Sequence, residues 1–65
     1  VAKTVFDVLE EKLLLAQRDQ EAFVMSGGAK TFEAYREACG MIRGLTRARQ
    51  EVQDLAKNFM DQEDD

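Results

Sequence analysis

Apolar residues along the first third of the chain recur at Phe6, Leu9, Leu13, Ala16 and Phe23, with Gln20 interrupting the series. Steps of three and four residues are the signature of an amphipathic helix with one buried stripe. Val5 and Val24 widen that stripe, and Val8, Leu15 and Ala22 form a narrower apolar strip on its flank. Asp7, Glu10, Glu11, Gln17, Arg18 and Glu21 fill the polar side, where Leu14 and Met25 also fall. This pattern predicts a helix over about residues 5–25. Thr4 supplies the N-cap, with Asp7 as an imperfect capping box.

The only strong punctuation is Ser26-Gly27-Gly28, in a chain without proline. Gly27 or Gly28 provides the left-handed residue that ends the first helix. Thr31 is placed to cap a second helix, and Glu33 in its first turn suits the positive end of the helix dipole. That helix is predicted over about residues 32–60. Its seam is regular, running through Ala34, Ala38, Met41, Leu45, Ala48, Val52, Leu55 and Phe59, with Tyr35, Ile42, Ala56 and Met60 beside it. A short link between two such helices makes them antiparallel neighbours. The fold class expected is therefore all-α, a two-helix antiparallel hairpin over residues 1–60 followed by an acidic tail at 61–65. In this arrangement Phe6 meets Leu55 and Phe59, and Phe23 fills the space left by Ala34 and Ala38. The second helix would exceed the first by about 10 Å at ~1.5 Å per residue. Its end, from Leu55 to Met60, should then overhang.

Size sharpens this picture. With 65 residues, 45% of them hydrophobic, two helices enclose only a thin core, and self-association or a partner is expected to complete it. Val8, Leu14, Leu15, Met25 and the Leu55–Met60 end are the surplus apolar surface expected to hold that partner, with Leu14, Leu15, Phe59 and Met60 as the contact residues singled out.

Charge is unevenly placed. Asp61, Glu63, Asp64 and Asp65 supply four of thirteen acids, so the rest of the chain balances, nine bases to nine acids. The terminal acids read either as a solvated tail or as a peptide for a basic partner surface. Acids at a helix C-terminus oppose the dipole, so the tail is expected to fray. On the second helix Arg36, Gly40, Arg43, Gly44 and Arg47 share one face, away from the seam. They form either a solvated basic face, paired with neighbouring acids, or a contact surface. Each glycine costs ~1 kcal/mol of helix propensity relative to alanine, which points to a backbone approached closely by another element.

Chemistry is limited by what is missing. There is no histidine and one cysteine, so neither a Cys/His zinc site nor an internal disulfide can form. Cys39 has no neighbouring base, and two helices do not wall a pocket, so the chain reads as non-enzymatic, without cofactor or small-molecule substrate. A pI of about 4.7 and the lack of aromatics among the arginines argue against nucleic acid. No window is long and apolar enough to span a membrane. Asp7, Glu10 and Glu11 also interrupt any signal-peptide pattern at the start. The acidic polar face of the first helix has the wrong sign for anionic lipid.

The stretch Tyr35-Arg36-Glu37-Ala38-Cys39-Gly40-Met41-Ile42-Arg43-Gly44-Leu45 continues through Ala48, Val52 and Asp54-Leu55-Ala56-Lys57 to Asp64-Asp65. Over this second half the chain resembles small proteins encoded among the virion-morphogenesis genes of short-tailed bacteriophages. These are similar in length, share a Tyr-x-x-x-x-Gly-x-Ile-x-Gly-Leu core and end in acidic residues. The resemblance implies a structural or accessory protein of the phage particle, near the portal or head-to-tail connector, present in several copies in the virion or in the host cytoplasm. The alternative reading is a small dimeric helical bundle that regulates or inhibits a host protein.

Overall fold

The computed structural model describes residues 3–63, with side chains through Phe59. It is a helical hairpin: α1 is Val5–Met25 and α2 is Phe32–Glu63. Local chemistry sets the boundaries. The Asp7 N–H donates to Thr4 Oγ1 at 3.2 Å, and the Thr4 N–H donates to Asp7 Oδ2 at 3.0 Å. Aspartate thus completes a reciprocal capping box, a role more often filled by glutamate.

Gly27, at φ +78°, is the left-handed residue that ends α1. The Gly28 N–H donates to the Phe23 carbonyl at 2.9 Å and the Gly27 N–H to that of Val24 at 3.1 Å. This is the paired bonding of a Schellman motif, which satisfies carbonyls left open at the helix end. Gly28 is needed for space, since a Cβ there would stand 2.6 Å from the Phe23 ring. Thr31 then caps α2, accepting the Ala34 N–H on Oγ1 at 3.0 Å.

The helices run antiparallel. Phe6 and Phe59 meet near the chain ends with ring centroids 5.6 Å apart, while Phe23, Ala34 and Ala38 line one groove at the hinge end. Both contacts follow the expected register. The region around Phe59 consequently packs on α1 and does not overhang. Asp61–Glu63 continue α2, so the helix takes in residues assigned above to a separate tail; Asp64 and Asp65 lie outside the described residues.

The contact line is rotated from the expected seam. On α1 it follows Phe6, Glu10, Leu13, Gln17, Gln20 and Val24, and on α2 it follows Ala38, Ile42, Leu45, Arg49, Val52 and Ala56. Leu9, Phe23, Met41 and Leu55, expected inside, are instead exposed. The apolar stripe on each helix is wider than a single neighbouring helix covers. One edge of each stripe packs and the other stays open. Among the described residues only Ala38, at 2% exposure, is buried.

Candidate protein-binding surface

Three surfaces emerge from this geometry. The first is the outer face of α2. Arg36, Gly40, Arg43 and Arg47 are all exposed there, and Gly44 is exposed at the edge nearest α1, where it lines a groove with Ala16 and Met41. Arg36 sits over the Phe32 ring, its guanidinium carbon 5.9 Å from the centroid, and Arg47 pairs with Glu51 at 3.1 Å one turn on. Such exposed pairs contribute little stability. Arg43 makes no ion pair among the described residues. An added Cβ at Gly40 or Gly44 would meet nothing within 4 Å. No element of this hairpin therefore uses the close approach that the two glycines permit.

The second surface is a broad side of the hairpin. Leu9, Ala16 and Phe23 stand seven residues apart on α1, as do Met41, Ala48 and Leu55 on α2, and helical spacing puts both sets on the same side. Two adjoining grooves run along it. One is lined by Gln20, Phe23, Ala34 and Met41, the other by Ala16, Asp19, Met41 and Gly44. Met41 is 47% exposed and Leu55 58%. Sequence reasoning assigned these residues to the core, because periodicity marks an apolar stripe without marking which edge of it is covered.

The third is a polar crossing between the helices, which the sequence reading missed. Arg49 Nη1 donates to Gln17 Oε1 at 3.1 Å, and Arg49 Nη2 lies 3.6 Å from Glu10 Oε1. Gln53 donates to the same Glu10 oxygen, while Gln17 donates to Glu21 at 3.2 Å. Arg49 Nε is buried without a partner. The signal was present as polar residues at core spacing, Glu10 and Gln17 on α1 facing Arg49 on α2. A polar group in an otherwise apolar seam can fix the register of paired helices.

The remaining predicted contact residues divide. Leu15 is exposed on the outside of α1, as expected. Leu14, expected on the polar side, is half-buried beside Lys3, Asp7, Glu10 and Glu11. Phe59 stays partly exposed while its ring packs on Phe6. Met60 lies within α2, its side chain outside the described residues.

Two groups have shifted acidities. Lys3 is raised above 10.5 by its hydrogen bond to Glu11, 2.7 Å away, and by the charge of that carboxylate. Tyr35 is raised above 10.0 by a hydrogen bond with Cys39 and by the charge of the thiolate. No helix among the described residues is long and apolar enough to cross a membrane. No family model, curated protein or solved structure matches the chain.

Proposed function

We propose that this chain works by binding protein and carries no catalysis, as a structural or accessory component of a short-tailed phage particle. One observation supports the binding role above others: among the described residues eleven large apolar side chains are exposed, while a single alanine is buried. Four of them, Leu9, Phe23, Met41 and Leu55, lie on the one broad side, and grouped apolar surface on a soluble protein marks an interaction site. The phage setting comes from the Tyr35–Leu45 resemblance and the acidic end. In that setting the hairpin sits near the portal or connector in several copies, following the symmetry of its assembly. Its apolar surface supplies adhesion, and Arg36, Arg43 and Arg47 supply polar contacts to a neighbouring virion protein.

Quantitative mass spectrometry of purified particles and of assembly intermediates tests this reading, using a phage that encodes the chain. Several copies per particle are expected, with fewer when Arg43→Glu and Arg47→Glu are combined. Absence of the chain from both preparations would overturn the proposal. The rival reading, a dimeric helical-bundle regulator of a host protein, is favoured by the matching seven-residue spacing on both helices of the broad apolar side. It predicts the chain in the host cytoplasm and not in particles.

A further inference from the structure

The broad apolar side has a size pattern that repeats about its own middle. On α1, Ala16 lies midway between Leu9 and Phe23. Ala16 shares its groove with Met41 and Gly44, so Gly44 stands at the same height on α2. At this waist α1 presents Ala16 and α2 presents Gly44, with Met41 beside it. Away from it on α1 stand the large residues Leu9 and Phe23; on α2 Met41 lies in the same groove, about one turn from Gly44, and Leu55 stands about three turns beyond. The opposite broad side differs, carrying the Gln17–Glu21 and Gln53–Glu10 hydrogen bonds.

We propose that a second copy of this chain covers the apolar side, forming an antiparallel four-helix bundle about a two-fold axis through the Ala16–Gly44 waist. The proposal rests on the protein-binding reading above and names the partner. A two-fold axis there lays small residues on small ones and brings the helices close where Gly44 has no Cβ. It exchanges Leu9 with Phe23 along α1, so large residues flank the waist in both copies. Dimensions agree: the hairpin measures 52 × 19 × 12 Å, and a side that long and wide matches the ~800 Å² per partner of a stable interface. Charge agrees as well. By helical spacing the borders carry one base, Lys12, and four acids, Asp19, Glu33, Glu37 and Glu51, the last already paired with Arg47. Lys12 makes no ion pair within the chain among the described residues. The two-fold axis that exchanges Leu9 with Phe23 stacks each helix on its own copy and sets Lys12 beside Asp19 of the second copy.

Sedimentation equilibrium across a concentration series, with helicity measured on the same samples, tests the proposal. The wild-type chain is expected to dimerise. Gly44→Leu is expected to weaken the dimer by about tenfold or more, since an inserted side chain blocks the waist. Within one hairpin a Cβ at this position meets nothing within 4 Å, and leucine is the better helix former, so helicity of the monomer should hold or rise. Lys12→Glu, at an exposed position, should weaken the dimer independently of folding. Arg18→Ala, exposed on α1 and away from the apolar side by helical spacing, should leave it intact. A wild-type chain that stays monomeric overturns the proposal, as does a dimer insensitive to both Gly44→Leu and Lys12→Glu. The two readings fail separately. A monomer found in particles removes only the dimer, and a dimer absent from particles removes only the virion role.

Discussion

Arg49 reaches across the hairpin to Glu10, 3.6 Å away, with the two side chains only 24% and 31% exposed. Each is partly removed from water, so each depends on the other and on its amide neighbours. Glu10→Leu leaves the guanidinium with Gln17 alone and strips Gln53 of its acceptor. It is expected to cost about 1–2 kcal/mol, less than for a fully buried pair because water still reaches the site. Glu10→Leu combined with Arg49→Leu should recover most of that loss. Chemical denaturation of the two single variants and the double variant reads the coupling. Additive effects would show that the pair is not coupled.

Gly27 and Gly28 meet different demands. Gly27→Ala places a Cβ in the left-handed region and is expected to lower stability by about 1 kcal/mol. Gly28→Ala drives a Cβ into the Phe23 ring and the Phe23 carbonyl oxygen, so the hinge itself must shift. Gly27→Asn should be milder than Gly27→Ala, while Gly28→Asn should be no better than Gly28→Ala. Thermal unfolding of the four variants gives the ranking.

Gly40 is a helix-interior glycine with nothing beside it. Gly40→Ala is expected to stabilise the hairpin by ~1 kcal/mol through helix propensity. A higher midpoint of thermal unfolding is the check. A loss of stability would mean that some other part of the protein already occupies that space.

Tyr35 is the only tyrosine and there is no tryptophan, so phenolate absorbance reports this residue alone. Its titration should centre above 10.0. Cys39→Ala should move the midpoint back down, by removing the hydrogen bond and the thiolate charge. Because the folded value is raised, the associated stability is fully present below the unfolded value and is lost as pH rises through the folded one. Lys3, also raised, loses its pairing with Glu11 in the same direction, above pH 10.5. The N-terminal turn should therefore loosen in alkali, and Lys3→Met should remove that response.

Both helices, their caps and the antiparallel pairing were legible in the sequence, because each depends on local signals. Thr4 with Asp7, Gly27 and Thr31 act within a few residues of themselves. The rotation of the contact line was not legible. Leu9 and Leu13 are equally apolar, and only the opposing helix decides that Leu13 is covered and Leu9 is not. Arg49 escaped notice because its long stem lets a charged residue occupy a seam position while its head finds polar partners. The glycines of the outer stripe were noted for the cost they impose, and the open space beside them now shows that no part of the hairpin claims it.

The order in which contacts can form follows from the hinge. The Schellman bonds link residues within six positions of one another, and Thr31 caps α2 from inside the same turn. From there each successive pairing joins residues further apart in the chain, through Phe23 with Ala34 and Gln17 with Arg49 to Phe6 with Phe59. Loop closure is least demanding at the turn, and contacts local in sequence form quickly. The chain should zip from its turn outward, and the meeting of Phe6 with Phe59 should be the last contact made on folding and the first released when the protein opens.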